Sequence, residues 1–373
     1  MDKESNRKTA MTMIALLGVL FDERQADSIN KQQINLDALF IVARRHKMLA
    51  LTAAALEKIG IMNADFQRAS AKAKGIDLMF DAEYKRISRA LKEEGIAHLP
   101  LKGLVIKRLY PAIGLREMSD MDIYFDSAYC LRVREIMESS GYQCKIFSKS
   151  NEDVYRKPPL YIVEMHRELF SDDSPAPQLA PYFNKLQILN RPRAELSLEE
   201  TYIYLISHLY MHYLTSGTGI RSLLDIYVFL KHYRERLDFS CIEHELRLLD
   251  MDGFEQKTRE LALKFLSLAL LSREEIDELN YYIDSGVYGT KNLYYKNRIA
   301  ESVKGRRFGG KLHYIHGRFT VTPKMIRDDP FYSRHPGLAP LMSVTRPIKA
   351  LVTKPKKIKY ELKVLIKSKS KNK

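Results

Sequence analysis

Asp120 and Asp122 stand two residues apart in the segment SDMDIYF. Residues i and i+2 of a strand leave the same face, so a strand through this segment directs both carboxylates to one point. Like charges held that close raise each other's pKa unless a cation lies between them, and ligation by oxygen alone favours a hard ion such as magnesium. Met121, Ile123 and Phe125 alternate with the acids and would pack on the opposite face, fixing them in place. Glu164 sits in a similar alternation in YIVEMH, between Val163 and Met165, and could present a third carboxylate from a neighbouring strand. An Asp-x-Asp pair also occurs on solvated strand faces and in turns, so the spacing does not by itself define a metal site.

The surrounding pattern supplies elements that would hold these residues. Up to about residue 95 apolar residues recur three and four apart, as in Leu36, Leu39, Phe40 and Ala43 and again in Ile76, Phe80, Ile87 and Leu91, which predicts a helical lead-in over 1–95. Gly95 stops a helix, and Ile96 to Leu101, interrupted by Pro100, reads as a strand near a sheet edge. A short helix follows Lys102-Gly103 and ends near Tyr110-Pro111; after a polar loop comes a strand over Met121 to Phe125. The glycine turn lies 17 residues before Asp120, and backbone amides at such a helix start can cradle a triphosphate. Asp126 or Ser127 can cap a helix that stops at Gly141, with further strands over Gln143 to Phe147 and Leu160 to Met165. Residues 96–170 are thus a small α/β core. Ser197-x-x-Glu200, Ser240-x-x-Glu243 and Ser272-x-x-Glu275 have capping-box spacing and announce a helical domain over 171–345, followed by a basic tail over 346–373.

The run Leu101-Lys102-Gly103, Tyr110-Pro111, Arg116 and Ser119-Asp120-x-Asp122 resembles the family of uncharacterised nucleotidyltransferases, a branch of the DNA polymerase beta-like superfamily. Glu164-x-His166 and the helix bearing Arg221 and Asp225 are also similar to that family's pattern. The likeness runs from about residue 35 to about residue 350, with its specific part in residues 99–125. It implies a mixed α/β fold: a minimal nucleotidyltransferase sheet with helices before it and a larger helical domain after it. It also implies transfer of a nucleotidyl group from a nucleoside triphosphate, ATP among the candidates, to a hydroxyl on a small molecule, a sugar, a protein or RNA. Under that resemblance Asp120 and Asp122 would ligate Mg2+ or Mn2+, and Glu164 would complete the site or act as base on the acceptor. Lys102 and Arg116 would neutralise phosphate charge, with Gly103 and Ser119 in the nucleotide-binding turn and loop. The wider superfamily usually opens this turn with Gly-Ser, whereas Leu104 follows Gly103 here, so a hydroxyl contact is missing that Lys102 would replace.

Other residues carry two readings each. His208 and His212 have the spacing of a zinc pair, but Leu209 stands where His-Glu-x-x-His has its Glu, which favours core or nucleotide-contact histidines. Arg221 and Asp225 can pair along one helix face, or Arg221 can reach into the cleft. His166 serves equally as a packed, hydrogen-bonded residue or as part of the chemistry.

Composition bounds the rest. With 45% hydrophobic and 29% charged residues among 373, the chain is a folded protein of more than one unit. Cys130, Cys144 and Cys241 form no Cys-x-x-Cys pattern, which points away from a disulfide framework and toward a reducing, cytoplasmic compartment. The run Ala10 to Phe21 is too short to span a bilayer and is not followed directly by a small-residue cleavage site, so it reads as a first core helix. The 61 basic and 46 acidic residues give +15, but eleven basic residues and one acid, Glu361, lie between Arg346 and Lys373. Ile358, Leu362 and Leu365 share a helical stripe there, so the tail could lie on anionic membrane, grip nucleic acid or stay solvated. A second class of function is therefore a non-catalytic protein that keeps the fold and binds polyanions through its basic surface. The intact Asp120, Asp122 and Glu164 argue against it, because unpaired carboxylates are costly to hold together.

Overall fold

The structure is a computed structural model describing residues 2–191, 193–303, 310–322, 325–326 and 329–367. The chain divides into two compact units, Met1–Met211 with Thr218–Val287, and His212–Gly217 with Tyr288–Lys373.

The first unit opens with helices α1 (Lys3–Phe21), α2 (Leu36–His46), α3 (Leu49–Lys58) and α4 (Ala64–Glu93). Met13, Ile14, Leu16 and Leu17 of α1 are fully buried, so the apolar run near the start is a core helix. Helix α4 is capped by Glu94, and Gly95 reverses the chain with φ +68°. A five-stranded mixed sheet follows: β1 (His98–Pro100), β2 (Met121–Phe125), β3 (Gln143–Ile146), β4 (Glu152–Lys157) and β5 (Tyr161–His166), in the order β1-β2-β5-β4-β3. Pro100 lies on an edge strand, where a missing N–H is tolerated. The β2–β5 pair is parallel and the other pairs are antiparallel. The sequence reading missed β4.

Strand alternation divides the sheet's work between its faces. Met121, Ile123 and Phe125 of β2 and Val163 and Met165 of β5 are fully buried, in one core with Phe80, Ile87 and Leu91 of α4 and with Val133, Ile136 and Met137 of α6 (Cys130–Ser139). Each of those side chains contributes about 1.5–3 kcal/mol by leaving water, which makes this face the sheet's anchor. The opposite face is left for Asp122 and Tyr124 of β2 and for Glu164 and His166 of β5.

Between β1 and β2 lie the short helix α5 (Gly103–Ile106), one 3-10 turn and a loop. Lys107, in that turn, is buried; its ammonium pairs with Asp77 and, at 2.7 Å, with Asp81, both on α4. The other oxygen of Asp77 accepts the Gly114 amide at 2.8 Å. Gly114 has φ +84°, and a Cβ there would come within 2.6 Å of the Lys74 backbone. Glu117 accepts the Ala50 amide at 3.1 Å, serving the first turn of α3, which has no side-chain cap of its own. The loop is thus tied to α3 and α4 at three points before it reaches Asp120.

Helices α7 (Leu179–Lys185), α8 (Leu198–Leu214), α9 (Ile220–Tyr233), α10 (Phe239–Leu248), α11 (Asp252–Lys264) and α12 (Arg273–Ser285) follow the sheet. The boxes at Ser197 and Ser272 form as the spacing predicts. The third does not, because Asp238 caps α10 by accepting the Cys241 amide and Ser240 lies inside the helix.

The second unit contains α13 (Lys291–Val303), α14 (Gly310–Phe319), and two helices over Met342–Thr353 and Pro355–Lys367. Tyr295, Ile299, Tyr314, Val364 and Leu365 form its small core. Glu361 is buried there and accepts from the Tyr314 hydroxyl at 2.5 Å and from Arg318 at 2.8 Å. Leu362, placed by sequence on the apolar stripe, is 49% exposed, and Val364 occupies the core instead. The last part of the basic tail, residues 368–373, lies outside the described residues.

Candidate active site

Parallel pairing sets Asp122 beside Glu164 and Tyr124 beside His166. Asp122 is buried, and its Oδ1 accepts from the Lys102 ammonium at 2.6 Å and from His166 Nε2 at 2.9 Å. Burial alone would raise this acid, but Lys102 and His166 outweigh it and hold the carboxyl well below the usual range. Glu164 is more weakly supported, with His166 Nε2 4.0 Å from its Oε2 and the Lys102 charge further off. Burial first, then the charges of Asp122 and Glu152, push it up to about 8. One oxygen of Asp122, one of Glu164 and a ring nitrogen of His166 lie within 4.8 Å of one another, the one such group of potential metal ligands among the described residues. Glu152 of β4 pairs opposite His166, with Oε2 3.6 Å from Nδ1, beyond hydrogen-bond reach. Nδ1 is buried without a hydrogen-bond partner among the described residues.

Asp120 is not part of that trio. The β2 ladder begins at Met121, so strand alternation does not extend to residue 120, which sits half-buried at the end of the loop. Burial and the neighbouring Asp122 raise its pKa, against the opposing charges of Lys102, Arg221 and Arg116.

Lys102 reaches Asp122 from a backbone of φ +44° and ψ −114°, a region that favours glycine, so the turn is strained where it aims the ammonium. Gly103 is needed for packing: a Cβ there would approach Arg116 Nη1 to 2.5 Å and Met118 Sδ to 2.6 Å. The amides of Leu104, Val105 and Ile106 bond to the carbonyls of Leu101 and Lys102, so that row is engaged within the turn.

Arg116 is buried and bidentate on Asp225 of α9, with Nε–Oδ1 2.8 Å and Nη2–Oδ2 2.7 Å. The Tyr110 hydroxyl donates to the same Oδ1 at 2.7 Å. Asp225 therefore takes Arg116 as its partner, while Arg221 donates to the Glu117 carbonyl at 3.0 Å. Burial, then repulsion from Arg116, lower the pKa of Arg221. Ser119 lies half-buried in the loop beside Asp120. Sequence reasoning missed Glu152, which lies on the unread strand β4. It also missed Tyr204 of α8, whose buried hydroxyl has no hydrogen-bond partner among the described residues. Burial raises that phenol, and the charges of Lys102, Asp122 and Glu164 all act on it.

A mixed sheet that buries one face under helices and gathers carboxylates and a lysine on the other belongs, in this chain, to a nucleotidyltransferase. Residues 32–267 match the family described as uncharacterised nucleotidyltransferase, and the chain belongs to that family. No curated protein and no solved structure matched the chain.

Proposed function

We propose that the chain moves a nucleotidyl group from a nucleoside triphosphate to an acceptor hydroxyl, with Asp122 and Glu164 holding a divalent cation. The observation that carries this reading is the convergence of Asp122, Glu164 and His166 within 4.8 Å. Two carboxylates suit Mg2+, and adding an imidazole nitrogen suits Mn2+ at least as well, so the donor set fits either ion. The unpartnered Nδ1 faces Glu152, the arrangement by which a carboxylate orients a metal-binding histidine. Bound there, the cation would supply charge neutralisation at the reacting phosphate.

In the transfer the acceptor oxygen bonds to the α-phosphorus, the bond to the bridging oxygen breaks, pyrophosphate leaves, and the hydroxyl proton goes to a base. Glu164 is the base proposed, through the carboxylate oxygen that does not ligate. Lys102 contributes its ammonium to phosphate charge, as the amides after Gly103 are engaged. Asp120, with Arg221 close enough to influence it, lies at the loop end where substrate phosphates would enter. Arg116 positions this loop through Asp225 and does not itself face substrate. Three free cysteines support a cytoplasmic setting.

The test is incubation of the purified chain with each α-labelled nucleoside triphosphate, Mg2+ or Mn2+, and cell extract. Label should pass to an acceptor, and Asp122→Asn should reduce the transfer at least 100-fold. Failure of every nucleotide with both ions and a folded protein would overturn the reading.

A further inference from the structure

The helix Met342–Thr353 turns its apolar side outward. Leu341, just before it, and Val344, Ile348, Leu351 and Val352 are each 55–76% exposed. Their spacing of three and four places them in one stripe along the helix. The inward side holds Met342, which is buried, and Arg346, whose guanidinium donates to the Arg318 carbonyl at 2.7 Å. An ordinary surface helix has the reverse arrangement.

Next in the chain, Pro355–Lys367 packs inward through Val364, Leu365 and Glu361, and presents Leu362 and Ile366 outward at 49% and 78% exposure. Lys359 and Lys363 flank that outward pair. Residues 341–367 contain eight Lys or Arg and one acid, Glu361, whose charge is already answered by Arg318 inside the unit. The exposed surface of this segment thus combines an apolar stripe on the first helix and an apolar pair on the second with charge of one sign.

We propose that this surface docks on an anionic lipid bilayer, the stripe entering the headgroup boundary and the lysines resting on lipid phosphates. Charge complementarity selects this occupant. A second copy would set lysine against lysine, and a nucleic acid would leave seven apolar side chains without a partner. No helix among the described residues is long and apolar enough to cross a membrane, so the contact is peripheral.

The experiment is sedimentation of the full-length protein with vesicles of pure phosphatidylcholine, or with phosphatidylglycerol as about one third of the lipid. Binding to the anionic vesicles should exceed binding to neutral ones at least tenfold and weaken with salt. The double variant Ile348→Ser, Leu351→Ser should lose tenfold or more with an unchanged melting temperature; Lys359→Gln with Lys363→Gln should lose less and show a flatter salt dependence. Equal binding to both vesicle types, or full binding by the serine variant, would overturn the proposal. So would binding to a homopolymeric RNA that the serine variant retains while neither protein binds vesicles. A dimer in light scattering that the serine variant dissolves, again without vesicle binding, would assign the stripe to self-association instead.

Discussion

Lys102 and Asp122 meet at 2.6 Å, so the buried acid of this site has its counter-charge built into the chain. The lysine delivers that charge from a turn that is itself strained, with φ +44°.

Strain and charge can be separated at residue 102. Lys102→Ala removes the ammonium and keeps a Cβ in an unfavourable backbone; Lys102→Gly removes the ammonium and relieves the backbone. The glycine variant should be more stable than the alanine variant by about 1 kcal/mol in urea unfolding. An alanine variant as stable as the glycine one would contradict the strained turn.

Removing either carboxylate should abolish transfer, but with opposite effects on the fold. Asp122→Asn leaves the Lys102 ammonium without its partner and should cost about 3 kcal/mol or more. Glu164→Gln removes a charge that burial and Asp122 disfavour, and should leave melting in chelator unchanged or raised. Calorimetric scans of both variants beside the parent decide this; equal destabilisation would mean that Glu164, too, has a compensating partner.

The Lys107–Asp77 pair supports the site without touching it. Asp77→Ala leaves the buried Lys107 ammonium only the more exposed Asp81 and frees the Gly114 amide, at a cost of about 3 kcal/mol. The double change Asp77→Leu with Lys107→Met should recover much of that loss, since both charges then disappear together. Denaturant midpoints of the single and double variants give the comparison, and a double variant no better than the single would refute it.

His46 is fully buried at the end of α2, and burial first, then Arg45, push its pKa down to about 3 from an ordinary 6.5. Between those values the unfolded chain binds the extra proton. Stability is therefore intact above pH 6.5 and falls as pH drops toward 3, with a slope approaching ~1.4 kcal/mol per pH unit. Unfolding at pH 7.5 and pH 5 should show this fall in the parent and a smaller one in His46→Leu. Identical falls would mean that His46 is already protonated in the fold.

Much of the sheet was legible because its signals are local. Gly95, the alternation through Met121 to Phe125, and Pro100 on an edge strand each act within a few residues. Strand β4 escaped because Glu152, Asp153, Arg156 and Lys157 mask its alternation, although Asp153 is fully buried and accepts the Ser148 amide. Glu152 could not be found without that strand. His166 was legible, as a residue of packing or of chemistry: it stands two residues after Glu164, the same relation that singled out Asp120 and Asp122. Arg116 on Asp225 is a contact across 109 residues, and no periodicity announces it.

The pairing of β2 with β5 also sets an order in time. Asp122 precedes Glu164 by 42 residues, and between them β3, β4 and β5 can join through short turns, at little loop-closure cost, before β2 is reached. Pulse-labelled hydrogen exchange during refolding should protect β4–β5 amides ahead of those between β2 and β5. A nascent or half-refolded chain therefore carries Asp122 without Glu164 beside it, and lacks the proposed cation site until its meander has closed.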